Sequence, residues 1–205
     1  MLDTFSTQVT SIVATITGNL PAVFAMVGTL WVIHLFNWFV GYKLSQYGIV
    51  PRTWRGLPGI FSSPFLHANF NHLFFNSIPL LILASLLLLY GWPIFIYVTV
   101  VVAVLGGFGT WLLARPGSHI GASAVIMGYW SDLLVNAYYQ PSWLSVVLAG
   151  VCVYYFGSFL FNVFPRSSQS SWEGHLFGLL AGLFAAYTSP YFAAWWANFL
   201  LSHGS

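Results

Sequence analysis

Charge is what this sequence has least of. Of its 205 residues, five are Lys or Arg and three are Asp or Glu, 4% in all, where a soluble domain carries about 25%. Eight charges cannot disperse a soluble globule in water. Five scattered cations cannot build a phosphate-binding patch, so no nucleic-acid partner is expected and the pI near 8.8 reflects small counts. Disorder is excluded as well, because its signature is low hydrophobicity with high net charge. Cysteine is nearly absent: Cys152 stands alone, so no intrachain disulfide forms. No H-E-x-x-H motif occurs. His67 and His72 are five apart, a poor spacing for two ligands, and no acidic or thiol group adjoins them, so neither metal nor cofactor is expected.

What is abundant is apolar: 59% hydrophobic and 20% aromatic. A lipid bilayer is the solvent that suits such a chain. Residues 4–42, 73–114, 133–165 and 174–205 contain no Asp, Glu, Lys or Arg. A helix needs about 20 mostly apolar residues to cross. The second run holds two spans, broken at Tyr90-Gly91-Trp92-Pro93. The expectation is an all-α membrane protein with six transmembrane helices near 21–43, 71–90, 93–114, 122–138, 143–163 and 174–197. Residues 1–20 read as an N-terminal lead-in, and 21–200 as one membrane domain with a long first loop at 44–70. A β-barrel is disfavoured, since Leu80 to Leu89 is nearly continuous apolar sequence without alternation.

The polar residues cluster. If the N-terminus lies on side A, spans two, four and six all start on side B. Span two opens on His67-Ala-Asn-Phe-Asn-His72-Leu-Phe-Phe-Asn76, span four on Gly121-Ala122-Ser123, and span six on Gly174-His175. Each has an ordinary explanation. A Ser beside Gly and Ala is commonly a packing position, and a His at a helix start is commonly an interfacial hydrogen-bonder. Gly174, Gly178 and Gly182 give span six a smooth face. Together, though, a small-residue helix start bearing Ser123 and a Gly-faced helix bearing His175 suit a short Ser–His hydrogen bond, and intramembrane polar groups are functional candidates by default.

These motifs resemble the rhomboid family of intramembrane serine proteases. Gly121-Ala122-Ser123 is similar to the family's G-x-S, with Gly128 at a further familiar position. His175-Leu-Phe-Gly178-Leu-Leu-Ala-Gly182 is similar to its H-x-x-G-x-x-x-G, and His67, His72 and Asn76 to its H-x-x-x-x-H-x-x-x-N. Trp54-Arg55 stands in the first loop, where the family has a Trp-Arg pair. Two departures are Ala124, where many members have Gly, and Met127, where many have an aromatic under the histidine.

The resemblance implies a rhomboid-like bundle acting as a serine endopeptidase without an acidic third member. Ser123 is then the nucleophile and His175 its base. The Ser123 backbone N–H, His72 and Asn76 stabilise the oxyanion, while His67 and Gly121 support them. The implied substrates are transmembrane proteins cut near side B, with a small residue before the cut and helix-weakening residues after it. The setting implied is a multi-pass protein of a prokaryotic plasma membrane, with its site facing the extracytoplasmic side. Lys43, Arg52, Arg55, Arg115 and Arg166 all fall on side B, which the positive-inside rule alone would place in the cytoplasm. The alternatives are a non-proteolytic binder of membrane helices and a small transporter or channel using His and Asn.

Other polar residues receive structural expectations. His34 and Asn37 are expected to make interhelical hydrogen bonds. Glu173 is expected to favour its helix's N-terminus through the dipole. Asp132 is expected at the side A interface or capping a neighbour. His119 is placed at the cavity mouth with no chemical role.

Overall fold

The structure, a computed structural model, describes residues 2–164 and 171–203. Arg166 lies outside them. Six principal helices follow in order: α1 (Leu2–Phe39), α2 (Phe70–Leu87), α3 (Trp92–Leu113), α4 (Ser123–Tyr139), α5 (Trp143–Phe156) and α6 (Trp172–His203). Four of these, α1, α2, α3 and α6, are long and apolar enough to cross a membrane. The expectation of six is not met on that criterion. α4 has 17 residues and α5 has 14, short of the roughly 20 a full crossing takes. The first twenty residues, expected as a lead-in, continue α1 in a single helix.

Local chemistry sets the helix boundaries. Asn69 caps α2 by accepting the His72 N–H at 2.8 Å. Gly91, at φ +90°, breaks the chain between α2 and α3, and Pro93 sits in the first turn of α3, where its missing N–H costs nothing. Ser142 and Ser145 form a reciprocal capping box that opens α5. α3 carries one wide π-helical turn at Val102–Gly106.

α4 is the axis of the molecule. Every residue from Val125 to Leu133 is buried, as expected of a helix surrounded by protein rather than lipid. Its enclosure suits its length: a helix packed among other helices does not itself have to reach both interfaces. The core around it is built from Leu73, Leu83 and Leu87 of α2, Val98 and Val102 of α3, Cys152 of α5, and Ala181 and Ala185 of α6. The outer helices leave large apolar residues such as Phe24, Phe36, Phe75 and Leu180 exposed, which lipid can cover.

The most extensive helix contact among the described residues is α4 against α6. Gly178 and Gly182 make it possible. A Cβ at Gly178 would overlap the Ala124 carbonyl oxygen, and one at Gly182 would overlap the Gly128 carbonyl oxygen. Backbone thus lies on backbone immediately beside Ser123 and His175.

The first loop is folded rather than slack. It makes short helical turns at Trp54–Gly56, Gly59–Ser62 and Ser63–Phe65. Arg52 donates to the carbonyls of Leu112 and Ala114 at 3.2 and 2.8 Å, and the Trp111 indole donates to the Thr53 carbonyl at 2.9 Å. Ile49 and His119 exchange both backbone hydrogen bonds, at 3.0 and 2.9 Å. The loop is therefore fastened to the end of α3 and to the segment leading into α4. Trp54 and Arg55 themselves are exposed.

Candidate active site

A cavity of about 990 Å³ is lined by His72 and Asn76 from α2, Ser123 and Met127 from α4, and Ser171 and His175 from the start of α6. Three helix starts expected to share one level of the bilayer thus do share one cavity. Ser123 is the first residue of α4 and His175 the fourth of α6, both partly accessible. A smaller cavity of about 30 Å³ is also lined by Ser123, together with Ser63, Thr110, His119 and Ser171.

Gly121 holds these pieces in register. Its φ is +122°, a conformation L side chains rarely adopt, and its N–H donates to the Ser63 carbonyl at 2.9 Å. A Cβ there would stand 2.7 Å from His72 Cε1, 2.8 Å from His72 Nε2 and 3.6 Å from Asn76 Nδ2. Glycine is thus what lets the α4 lead-in lie flat against the His72 ring.

The hydrogen bonds fix which atoms can donate. The Ala68 N–H donates to His72 Nδ1 at 3.4 Å. In the neutral ring that leaves the proton on Nε2, the nitrogen beside Gly121. Asn76 is buried, and its Nδ2 has no hydrogen-bond partner among the described residues. An orphaned buried donor costs about 1–3 kcal/mol. An unpaired donor on a residue of the cavity wall suits a charge that appears only during a reaction.

His67 lies behind them, fully buried, with its Nε2 accepting the Ala122 N–H at 3.4 Å. Burial, reinforced by the His72 and His34 rings, holds its pKa down at about 3. It is therefore neutral at ordinary pH and acts as a prop between the turn before α2 and the lead-in to α4. The His67 and His72 rings meet edge to face with centroids 5.2 Å apart.

Several residues fall elsewhere than the sequence suggests. Neither His34 ring nitrogen has a hydrogen-bond partner among the described residues; the ring packs edge-on against Phe70 with centroids 4.7 Å apart. Asn37 bonds locally, accepting the Leu44 N–H at 2.9 Å and donating to Ser45 Oγ at 3.1 Å, which ties off the end of α1. Asp132 reaches no interface: it is fully buried, and Asn136 of the same helix donates to it at 3.3 Å. Glu173 does stand in the first turn of α6, but it is also buried and ion-paired with Arg115, Nε to Oε1 at 3.1 Å. His119 is buried and engaged on both ring nitrogens, a role the sequence did not signal. Among the described residues no group of three His, Cys, Asp or Glu is placed to hold a metal ion.

Comparison with known proteins bears on the family of the chain. The family model described as "Rhomboid domain" matches residues 51–192. An uncharacterized protein of Mycobacterium tuberculosis is 37% identical over 174 residues, covering 80% of this chain and 72% of that one. An uncharacterized protein of Mycobacterium leprae is 36% identical over 168 residues, covering 77% and 66%. With its apolar helices, the match makes the chain an integral membrane protein, and its relatives here are bacterial.

Proposed function

The chain belongs to the rhomboid family, whose members are in general intramembrane serine proteases, and from this we propose that it is an intramembrane serine endopeptidase working through a Ser123–His175 dyad. The observation that carries the proposal is the convergence of Ser123, His175, His72 and Asn76 on one cavity from three separate helices.

The chemistry follows from these groups. His175 takes the Ser123 hydroxyl proton as the oxygen attacks a peptide carbonyl, making a tetrahedral intermediate with one negative oxygen. The Ser123 N–H, His72 Nε2–H and Asn76 Nδ2–H donate to that oxygen. The free N–H groups and positive dipole end at the start of α4 add to them. The imidazolium returns its proton to the leaving amine, and an acyl-enzyme remains. Water entering the cavity then loses a proton to His175 and attacks the ester; the new carboxyl terminus is released as His175 returns that proton to the departing Ser123 oxygen. Only neutral groups rest in the site between turnovers, which a nearly charge-free protein can bury.

The proposed substrates are transmembrane proteins whose helices unwind locally to present a peptide bond at the cavity. In this reading α4 and α5 are spans four and five of a six-helix bundle, shortened because α4 is enclosed by its neighbours.

The predicted test is covalent. A fluorophosphonate probe added to the detergent-solubilised protein is expected to label Ser123, identified by peptide mass spectrometry, and to leave His175→Ala unlabelled. Labelling at another serine, or none in the unmodified protein, would favour a non-proteolytic helix binder or a transporter instead.

The site is proposed to open on the extracytoplasmic side of the bacterial plasma membrane, with both termini in the cytoplasm. Arg52 is bound to backbone carbonyls and Arg115 to Glu173. Their place on side B therefore has a structural reason independent of the positive-inside rule. Alkaline phosphatase fused to the C-terminus is expected to be inactive; an active fusion reverses the orientation.

A further inference from the structure

We propose that His119 and Ser171 are a positioning pair that sets the separation between the two reacting side chains. This rests on the serine-protease reading of Ser123 and His175.

His119 precedes Ser123 by four residues, and Ser171 precedes His175 by four. The two segments lead into α4 and α6 at the same end of their contact and are joined by one side-chain hydrogen bond, His119 Nδ1 to Ser171 Oγ at 2.6 Å. The direction of that bond follows from its neighbours. His119 Nε2 lies 3.1 Å from the Arg115 carbonyl, which can only accept, so Nε2 carries the proton. In the neutral ring Nδ1 is then the acceptor, and the Ser171 hydroxyl donates to it. The His119 backbone is pinned on both sides by Ile49. Every polar group of this residue is thus used to fix its place.

Ser171 is fixed in turn to the histidine's helix. Its carbonyl accepts the His175 backbone N–H at 3.3 Å, the first bond of α6, so Ser171 occupies the N-cap position. A capping serine ordinarily turns its hydroxyl toward its own helix. Here the hydroxyl is aimed across to the serine-bearing segment. The ion pair of Arg115 with Glu173 runs alongside, and the Arg115 backbone N–H also donates to the same carboxylate oxygen at 3.3 Å. Two parallel ties therefore connect residues 115–119 to residues 171–173.

The Gly178 and Gly182 contacts fix how closely α4 and α6 approach, but not how their ends slide along one another. A bond between the two ends opposes that sliding, and misplacement by about 1 Å can cost around a hundredfold in rate.

The test compares Ser171→Ala, which removes the donor, with Ser171→Thr, which keeps it. The rate constant of fluorophosphonate labelling is read at Ser123, with kcat and KM for a transmembrane substrate. Ser171→Ala is expected to slow labelling and kcat about tenfold with KM within twofold, and Ser171→Thr to restore both. His119→Ala, which also gives up the Nε2 bond to the Arg115 carbonyl, is expected to lose at least as much as Ser171→Ala, and the double variant no more than His119→Ala, because the bond between the pair is shared. Ser171→Ala labelling at the unmodified rate, failure of Ser171→Thr to rescue, or additive losses would overturn the pair. Absence of labelling in the unmodified protein would instead overturn the serine-protease reading beneath it.

Discussion

Cleavage of a transmembrane substrate is expected to fall by at least about 10⁴-fold in Ser123→Ala and equally in His175→Ala, with no change in thermal stability. The two losses are expected to match because nucleophile and base act as a unit, so removing either removes the whole pathway. Stability should hold because both residues are only partly buried on the cavity wall. His72→Ala and Asn76→Ala are expected to lose less, about 10²–10³-fold in kcat each, the worth of one oxyanion donor. Asn76 gives the sharper reading. Its Nδ2 has no partner among the described residues, so Asn76→Ala sacrifices no hydrogen bond from that amide nitrogen in the resting protein. Activity lost at unchanged melting temperature supports a donor used only in the transition state. A fall in stability with kcat intact would make Asn76 an ordinary packing residue, and residual cleavage in Ser123→Ala would refute the dyad.

The second large effect is expected at a residue that touches no substrate. Gly178→Ala adds a single methyl group, yet that methyl would overlap the Ala124 carbonyl oxygen, one residue past Ser123. The obstacle is backbone, which cannot rotate aside, so the helices must separate. Overpacking of this kind costs about 1–3 kcal/mol or more, and the displacement carries His175 away from Ser123. Labelling of Ser123 is expected to drop at least about a hundredfold, with a lowered melting temperature. Gly150→Ala in α5 is the control: nothing lies within 4 Å of its added carbon, and a helix tolerates Ala better than Gly. It is expected to keep full activity. Equal behaviour of the two variants would refute the close-contact argument.

The reach and limit of the sequence show in particular residues. The chain's solvent was legible from eight charges, because lipid admits few others. The starts of α2, α4 and α6 were legible because their signals are local: the polar cluster from His67 to Asn76, a glycine before Ser123, and glycines every four residues after Gly174. The expected convergence of Ser123, His175, His72 and Asn76 needed only the alternation of helices across a bilayer, and one cavity does bring them together. The fourth and fifth expected spans, 122–138 and 143–163, coincide with α4 and with α5 plus the short helical turn Gly157–Val163 that follows it, but enclosure of α4 by other helices is something no local pattern announces.

The polar residues outside the cavity are where sequence reasoning went astray. Asn37 was assigned a partner on another helix and found one eight residues away. Glu173 was read through its own helix dipole, while its ion-pair partner, Arg115, lies 58 residues back. His119 and Ser171 are separated by 52 residues, and neither carries a local mark of the other. By itself, the sequence determined the membrane setting and the helical class and singled out the proposed reacting groups, because hydrophobic period and motif spacing are properties of neighbours along the chain. The tertiary structure alone decided which side chains tie together the segments that carry those groups. A hydrogen bond between remote segments depends on where the whole bundle brings them, and only the packed helices fix that.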